Sequence, residues 1–171
     1  MEPQVPKKSL KRAVSDNPED IDARLRLAIY YRKDNNPDKA VKILEETIEL
    51  DPKNPEIYLQ LGLCWAMAML DNVPVIQLWG REMDEELMME KAIENLETAS
   101  ELDPEMTEAY NAMARLFMIR VQEEQAIDMF KQSLQIDPAQ LDVLEELQEL
   151  TGRPVWKLLD KETYMGEEED I

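Results

Sequence analysis

Residues 107–140 read TEAYNAMARLFMIRVQEEQAIDMFKQSLQIDPAQ, and these 34 residues decide the fold. The residues at helical spacing in the first half are Tyr110, Met113, Ala114 and Phe117, and those in the second half are Ala126, Phe130, Ser133 and Leu134. Spacings of three and four residues place each set on one face of a helix. Asp137-Pro138 ends the second helix, because proline cannot continue it. The stretch therefore predicts a helical hairpin with small residues where the two helices touch.

The same register recurs twice upstream. Residues 21–54 are again 34 in number and carry Leu27, Ala28, Tyr31, Ala40, Leu44 and Pro52. The next unit, residues 55–106, has 52 residues and carries Tyr58, Leu61, Gly62, Trp65, Ala92, Leu96, Ala99 and Pro104. The extra residues of this middle unit predict an insertion at about 66–88. A generic helix bundle, the alternative, would not repeat small residues at Ala28, Gly62 and Ala114 in one register.

This order of small, large and proline positions resembles the tetratricopeptide repeat family. The resemblance implies an all-α fold, an α-solenoid of three helical hairpins with capping helices at both ends. The predicted parts of the chain are a disordered N-terminus over 1–8, a single repeat domain over 9–164 and an acidic tail over 165–171. Inside the domain, the predicted repeats are 21–54, 55–106 and 107–140, followed by capping helices over 141–164.

Composition argues against catalysis. The chain has no histidine, so the commonest general base is missing, and its one cysteine excludes an internal disulfide. Acidic residues are abundant, but they fall on solvated helix faces rather than converging on a pocket. The sequence has no glycine-rich phosphate loop, no metal-ligand cluster and no nucleophile paired with a base. We therefore predict no enzymatic activity, no cofactor and no metal site, and we interpret Cys64 as a small buried side chain.

The formal net charge of −19 restricts the partners. So negative a surface repels nucleic acid and anionic lipid, and no apolar stretch suits a signal peptide or a membrane span. We predict a cytoplasmic protein without nucleic-acid or membrane partners. A basic segment of a partner protein would be attracted, but the acidic surface is equally explained by solubility, and both interpretations stay open. The one basic stretch, residues 7–12, could contact the acidic tail or a partner, but we interpret it as a solvated helix face.

Function follows from the resemblance. In tetratricopeptide repeat proteins the first helix of each hairpin lines a concave groove that binds a peptide or helix, so the resemblance implies a protein–protein interaction adaptor. Projection of the register gives the groove positions Leu25, Ile29, Arg32, Leu59, Leu63, Met67, Asn111, Arg115 and Met118. An apolar groove with adaptable methionine suits an amphipathic helix or an extended apolar segment. Polar character is expected only near Arg115.

One subtype of the family binds the acidic tails of heat-shock chaperones through a clamp of lysine, arginine and asparagine side chains. Leu25 and Ile29 stand at the matching places of the first repeat, and Gln60 stands in the second. Only Asn111 and Arg115 have suitable chemistry, so we expect no carboxylate clamp.

The insertion is the most individual feature of the sequence. Its apolar residues include Val75, Ile76, Leu78 and Trp79. Such a loop is expected either to fold back over the array, where it would fill the groove, or to dock on a partner. Contact between insertion and groove in different copies would instead give a self-assembling scaffold, a homo-oligomer. A secretion-type chaperone shares the size, acidity and three repeats, and that alternative rests on analogy alone.

Overall fold

The computed structural model describes residues 6–70 and 84–154. These residues form eight α-helices and no strand, so the predicted all-α fold is confirmed. The helices are α1 (Lys7–Asp16), α2 (Ile21–Lys33), α3 (Pro37–Ile48), α4 (Pro55–Leu70), α5 (Glu85–Leu102), α6 (Thr107–Ile119), α7 (Glu123–Ile136) and α8 (Leu141–Thr151). The three predicted hairpins correspond to α2–α3, α4–α5 and α6–α7.

The chain divides into two compact units. The N-terminal unit, residues 1–102, contains α1 to α5, and each of these helices packs on the next. In the C-terminal unit, residues 103–171, α6 packs on α7 and α7 on α8. The single domain predicted over 9–164 is not tested by this division and stays a prediction. The predicted acidic tail, and the capping segment after Pro154, lie outside the described residues.

Small residues stand where the helices of each hairpin meet. The buried small residues of the first helices are Ala28, Gly62 and Ala114, and those of the second helices are Ala40, Ala92 and Ala126. The second helices also bury Leu44, Leu96 and Phe130 and, one turn later, Thr47, Ala99 and Ser133. Burial of the large side chains drives the packing, while the small ones allow the backbones to approach. The register that the sequence predicts is therefore the register of the core.

Of the predicted disordered segment 1–8, Lys7 and Lys8 are helical, because α1 begins at Lys7, and residues 1–5 lie outside the described residues. The Lys7 ammonium donates a 3.2 Å hydrogen bond to Asp34 Oδ2 and lies 4.9 Å from the centre of the Tyr31 ring. Leu10, one turn further along α1, is buried. These contacts with α2 hold the first turn in place, although a lysine there is unfavourable for the helix dipole. Lys7 therefore contacts α2 and does not lie on a purely solvated face of α1.

The turns inside the first and third hairpins have the same backbone conformation. Each places one residue in the left-handed region, Asn35 at φ 53° and Val121 at φ 59°. In each turn the following N–H donates a 2.9 Å hydrogen bond back to the first helix, from Asn36 to the Tyr31 carbonyl and from Gln122 to the Phe117 carbonyl. Asparagine tolerates this region, whereas β-branched valine is strained there. Val121 is 78% exposed, so its side chain gains little burial in compensation.

We expect Gly62→Ala to destabilise the protein. A Cβ at this position would lie 2.6 Å from Leu96 Cγ and 3.0 Å from the Ala92 carbonyl oxygen. Because Leu96 is fully buried and the oxygen belongs to the backbone, α4 and α5 must shift, at a cost of about 1–3 kcal/mol. This cost outweighs the roughly 1 kcal/mol by which alanine favours a helix over glycine. Urea unfolding followed by circular dichroism measures the difference.

A double-mutant cycle with Leu96→Ala provides the control for Gly62→Ala. Since truncation of Leu96 removes the clashing atoms, the losses of the two substitutions are expected to be less than additive. Fully additive losses would contradict a close approach of Leu96 to Gly62.

We expect Val121→Asn to stabilise the protein. Relief of the left-handed strain is worth about 1–2 kcal/mol, and the exposed valine leaves no cavity behind. Thermal unfolding should show a higher midpoint for Val121→Asn. The reciprocal substitution Asn35→Val, at the equivalent turn of the first hairpin, should lower the midpoint. A midpoint for Val121→Asn at or below that of the unsubstituted protein would argue against the left-handed conformation.

Candidate protein-binding face

In the N-terminal unit, α2 and α4 lie side by side and are joined by polar side chains. Arg32 Nε on α2 donates a 3.0 Å hydrogen bond to Gln60 Oε1 on α4. Gln60 in turn donates from Nε2 to Glu56 Oε1 at 2.8 Å. The first helices of two successive hairpins therefore share one surface, as expected of groove-lining helices.

Six predicted groove residues belong to this surface, and their exposure separates them into two groups. Leu25 and Leu59 are only 8% and 5% exposed, so they lie in the core and offer a partner almost no surface. This burial argues against a direct contact of either side chain with a partner, and their assignment as contact residues stays a prediction. The partly exposed residues are Ile29, Arg32, Leu63 and Met67. We call these four residues the α2–α4 face.

The predicted polar end of the groove lies in the C-terminal unit, where its side chains have partners within the unit. Arg115 binds Glu146 on α8 through two nitrogens, with Nη2 at 2.6 Å from Oε1 and Nε at 3.0 Å from Oε2. Asp142 lies 3.6 Å from the same Nη2. The hydrogen bond to Glu146 raises the pKa of Arg115. Arg115 is thus engaged in holding α8 against α6.

Asn111 and Met118 complete the predicted set. Asn111 is 8% exposed, and its Nδ2 donates a 2.7 Å hydrogen bond to Gln140 Oε1. Its Oδ1 is buried and has no hydrogen-bond partner among the described residues. Met118 is 36% exposed. Of the three groove residues predicted in this unit, Met118 is therefore the one with a free apolar surface.

Gln140 is a structural residue that the sequence reasoning missed. Its Nε2 donates to Ser133 Oγ and to the Asp137 carbonyl, both at 2.9 Å, and its Oε1 accepts from Asn111. One amide thereby joins α6, the end of α7 and the start of α8. Gln140 lies in the connection after Pro138, where helical periodicity carries no information.

The predicted insertion surface, which comprises Val75, Ile76, Leu78 and Trp79, lies outside the described residues. On either side of it, α4 has 16 residues and α5 has 18, against 13 and 12 for α2 and α3.

Cys64 lies on α4 and is completely buried. Burial raises the pKa of its thiol from 9.0 to about 12. A thiol with so high a pKa is protonated near neutrality and is a poor nucleophile. Cys64 is a core residue.

The comparisons with known proteins agree with this fold. A family described as Tetratricopeptide repeat matches residues 7–61. Interferon-induced protein with tetratricopeptide repeats 2 of Mus musculus is 26% identical over 131 residues, which are 75% of this chain and 28% of that protein. Across the first curated relatives, the chain spans 25% to 28% of their length.

Solved structures show the same architecture. A thermophilic TPR protein of Thermus thermophilus superimposes with a TM-score of 0.69 at 18% identity, over 84% of this chain and 70% of that one. The first TPR of Spaghetti (RPAP3), bound to an HSP90 peptide, gives a TM-score of 0.63 at 16% identity, over 77% of this chain and 93% of that one. At these identities the likeness concerns the fold.

The family match over residues 7–61, the curated relatives and the solved structures together support a tetratricopeptide repeat protein. Proteins of this class generally mediate protein–protein interactions, and their fold is typically that of a non-catalytic adaptor. In the part of the chain that the structure describes, no helix is both long enough and apolar enough to span a membrane.

We expect the native protein to react very slowly with a disulfide reagent such as dithionitrobenzoate at about pH 8, because Cys64 is buried and protonated. Denaturant should restore the rate of an ordinary exposed thiol. Cys64→Ala serves as the blank and should release no chromophore in either state. A native rate equal to the denatured rate would contradict the burial of Cys64.

Proposed function

We propose that this protein is a non-catalytic adaptor that binds a peptide or helix of a partner protein along the α2–α4 face. The observation that carries the proposal is the partly exposed apolar strip of Ile29, Leu63 and Met67 on two adjacent first helices. Ile29 and Arg32 are three residues apart, and Leu63 and Met67 four, so each pair shares one side of its helix. The strip therefore lies on one side of each helix, and the two helices are joined by the Arg32–Gln60 hydrogen bond.

The chemistry of the face suggests the chemistry of the partner. Apolar side chains at i, i+3 and i+4 of an amphipathic helix would cover the strip, and the flexible Met67 would adapt to their shape. Arg32 and Gln60 already bond each other, so the polar edge of the face is satisfied without a ligand.

The C-terminal unit plays a smaller part in this proposal. Arg115 and Asn111 are bonded to α8 and to Gln140, so their use by a partner would require these bonds to break. Met118 is the position of this unit that we propose as a contact. The insertion residues Val75, Ile76, Leu78 and Trp79 form a second proposed surface, argued from their apolar sequence alone.

The proposal predicts that Leu63→Gln with Met67→Gln abolishes partner capture. Both side chains are only half-buried, so the fold should tolerate the change, whereas a substitution of the buried Leu59 would disturb the core. Loss of two apolar contacts is expected to weaken a partner's binding by at least about tenfold. The measurement is affinity capture from native lysate with identification by mass spectrometry, followed by calorimetry with the identified segment.

The matched control removes two leucines from the same unit. Leu50 and Leu102 are 41% and 38% exposed and belong to neither α2 nor α4, because Leu50 follows α3 and Leu102 ends α5. Leu50→Gln with Leu102→Gln should therefore keep the partner. Circular dichroism must show both variants folded. Equal capture of the partner by the Leu63→Gln, Met67→Gln variant and by the control would contradict the proposal. Loss only with Trp79→Ala would move the binding surface to the insertion, and capture of nothing but copies of the protein would indicate a homo-oligomer.

A further inference from the structure

Positive charge is concentrated near the start of the chain. Ten of the 19 lysines and arginines lie between residues 7 and 42, together with only six of the 38 aspartates and glutamates. The segment from α1 to the first half of α3 therefore carries net positive charge in a protein whose total is −19. Over distances beyond about 10 Å salt screens the remaining acidic surface, so the local excess determines which ligands approach.

Three lysines of this segment surround one aromatic ring. The ammonium groups of Lys7, Lys11 and Lys39 lie 4.9, 5.9 and 5.8 Å from the centre of the Tyr31 ring. Lys7 and Lys11 come from α1, whereas Lys39 comes from the first turn of α3. The negative face of the ring attracts cations and partly offsets their mutual repulsion. We call these three residues the lysine cluster.

Acidic side chains neutralise the lysine cluster only in part. Asp34 Oδ2 accepts the 3.2 Å hydrogen bond from Lys7, and this bond raises the pKa of Lys7. Lys11 and Lys39 are exposed, and neither forms a salt bridge within residues 6–70 and 84–154. Lys39 donates only to the neutral Asn36 Oδ1, at 2.7 Å. The N-terminal ends of α1 and α3 add partial positive charge at Lys7 and near Lys39.

The lysine cluster is separate from the α2–α4 face. Tyr31 follows Ile29 by two residues and precedes Arg32 by one, which places its side chain about 160° from Ile29 and about 100° from Arg32 around α2. On α2, the α2–α4 face adjoins α4, whereas the Tyr31 ring is contacted by Lys7 and Lys11 of α1. A ligand on the cluster therefore does not compete with one on the face.

We infer that the lysine cluster is a second binding surface, which takes a short acidic segment of a partner protein. Two exposed ammonium groups without a carboxylate suit two aspartate or glutamate side chains, and the aliphatic parts of the two lysines provide a contact surface beside them. A nucleic acid fits less well, because a long polyanion would extend beyond three lysines onto the strongly acidic remainder of the chain. A short acidic run ends before that repulsion begins.

The test uses the full chain and a fluorescein-labelled hexaglutamate peptide, with hexaglutamine as the neutral reference. Fluorescence anisotropy at about 0.15 M salt, where the Debye length is about 8 Å, should show binding of hexaglutamate and none of hexaglutamine. Lys11→Gln with Lys39→Gln leaves the Lys7–Asp34 bond intact and should weaken binding about fivefold, the loss expected for two exposed ion pairs. Addition of the peptide should also shift the Tyr31 ring resonances in NMR spectra, because the ammonium groups over the ring are displaced.

A matched variant separates a defined surface from general electrostatics. Arg26→Gln with Lys53→Gln also removes two positive charges, but from exposed positions outside the cluster. The affinity of this variant for hexaglutamate should stay within about twofold of that of the unsubstituted protein. Equal weakening in both variants would overturn the inference, since the peptide would then respond only to net charge. Absence of binding, or binding that leaves the Tyr31 resonances unchanged, would overturn it as well.

Discussion

The close approach of two helices within each hairpin is the constraint on which the rest of the structure depends. In the middle hairpin, Gly62 leaves no room for a side chain between α4 and the Leu96 side chain and Ala92 carbonyl of α5. The equivalent positions of the other hairpins hold Ala28 and Ala114, which are also buried. Because each hairpin closes through these small residues, one side of its first helix is committed to the core. The remaining sides are then available for the next helix, for solvent or for a ligand.

Polar side chains on the first helices are used mainly to hold neighbouring helices. Arg32 reaches Gln60 between α2 and α4, and Arg115 reaches Glu146 between α6 and α8. Since a bonded side chain must give up its partner before it can bind a ligand, these residues contribute little free hydrogen-bonding capacity. On the α2–α4 face, the side chains left without such a bond are consequently the apolar Ile29, Leu63 and Met67. That division of roles favours recognition of an apolar helix or segment over recognition of a charged peptide end on the α2–α4 face.

The lysine cluster adds a surface of different chemistry to the same unit. Its charges come from two helices that are far apart in sequence and meet only because α1 and α3 both pack against α2. Tyr31 is central to this arrangement, since its ring lies within cation–π distance of all three lysines. An apolar face and a basic cluster on different sides of α2 would allow one small unit to join two partners, or two segments of one partner.

The sequence by itself determined the helices, the hairpins and their register, because these follow from short-range rules: a period of 3.6 residues, small residues at fixed spacing, and prolines beside the helix ends. Only the tertiary structure decided which outward positions are free. Leu25 and Leu59 followed the groove pattern but are buried, and Arg115 is held by Glu146, 31 residues away. Lys7, in the first turn of α1, likewise has its hydrogen-bond partner in Asp34, 27 residues away. Periodicity specifies the face on which a side chain lies, whereas the neighbour that covers or binds it depends on how distant segments come together.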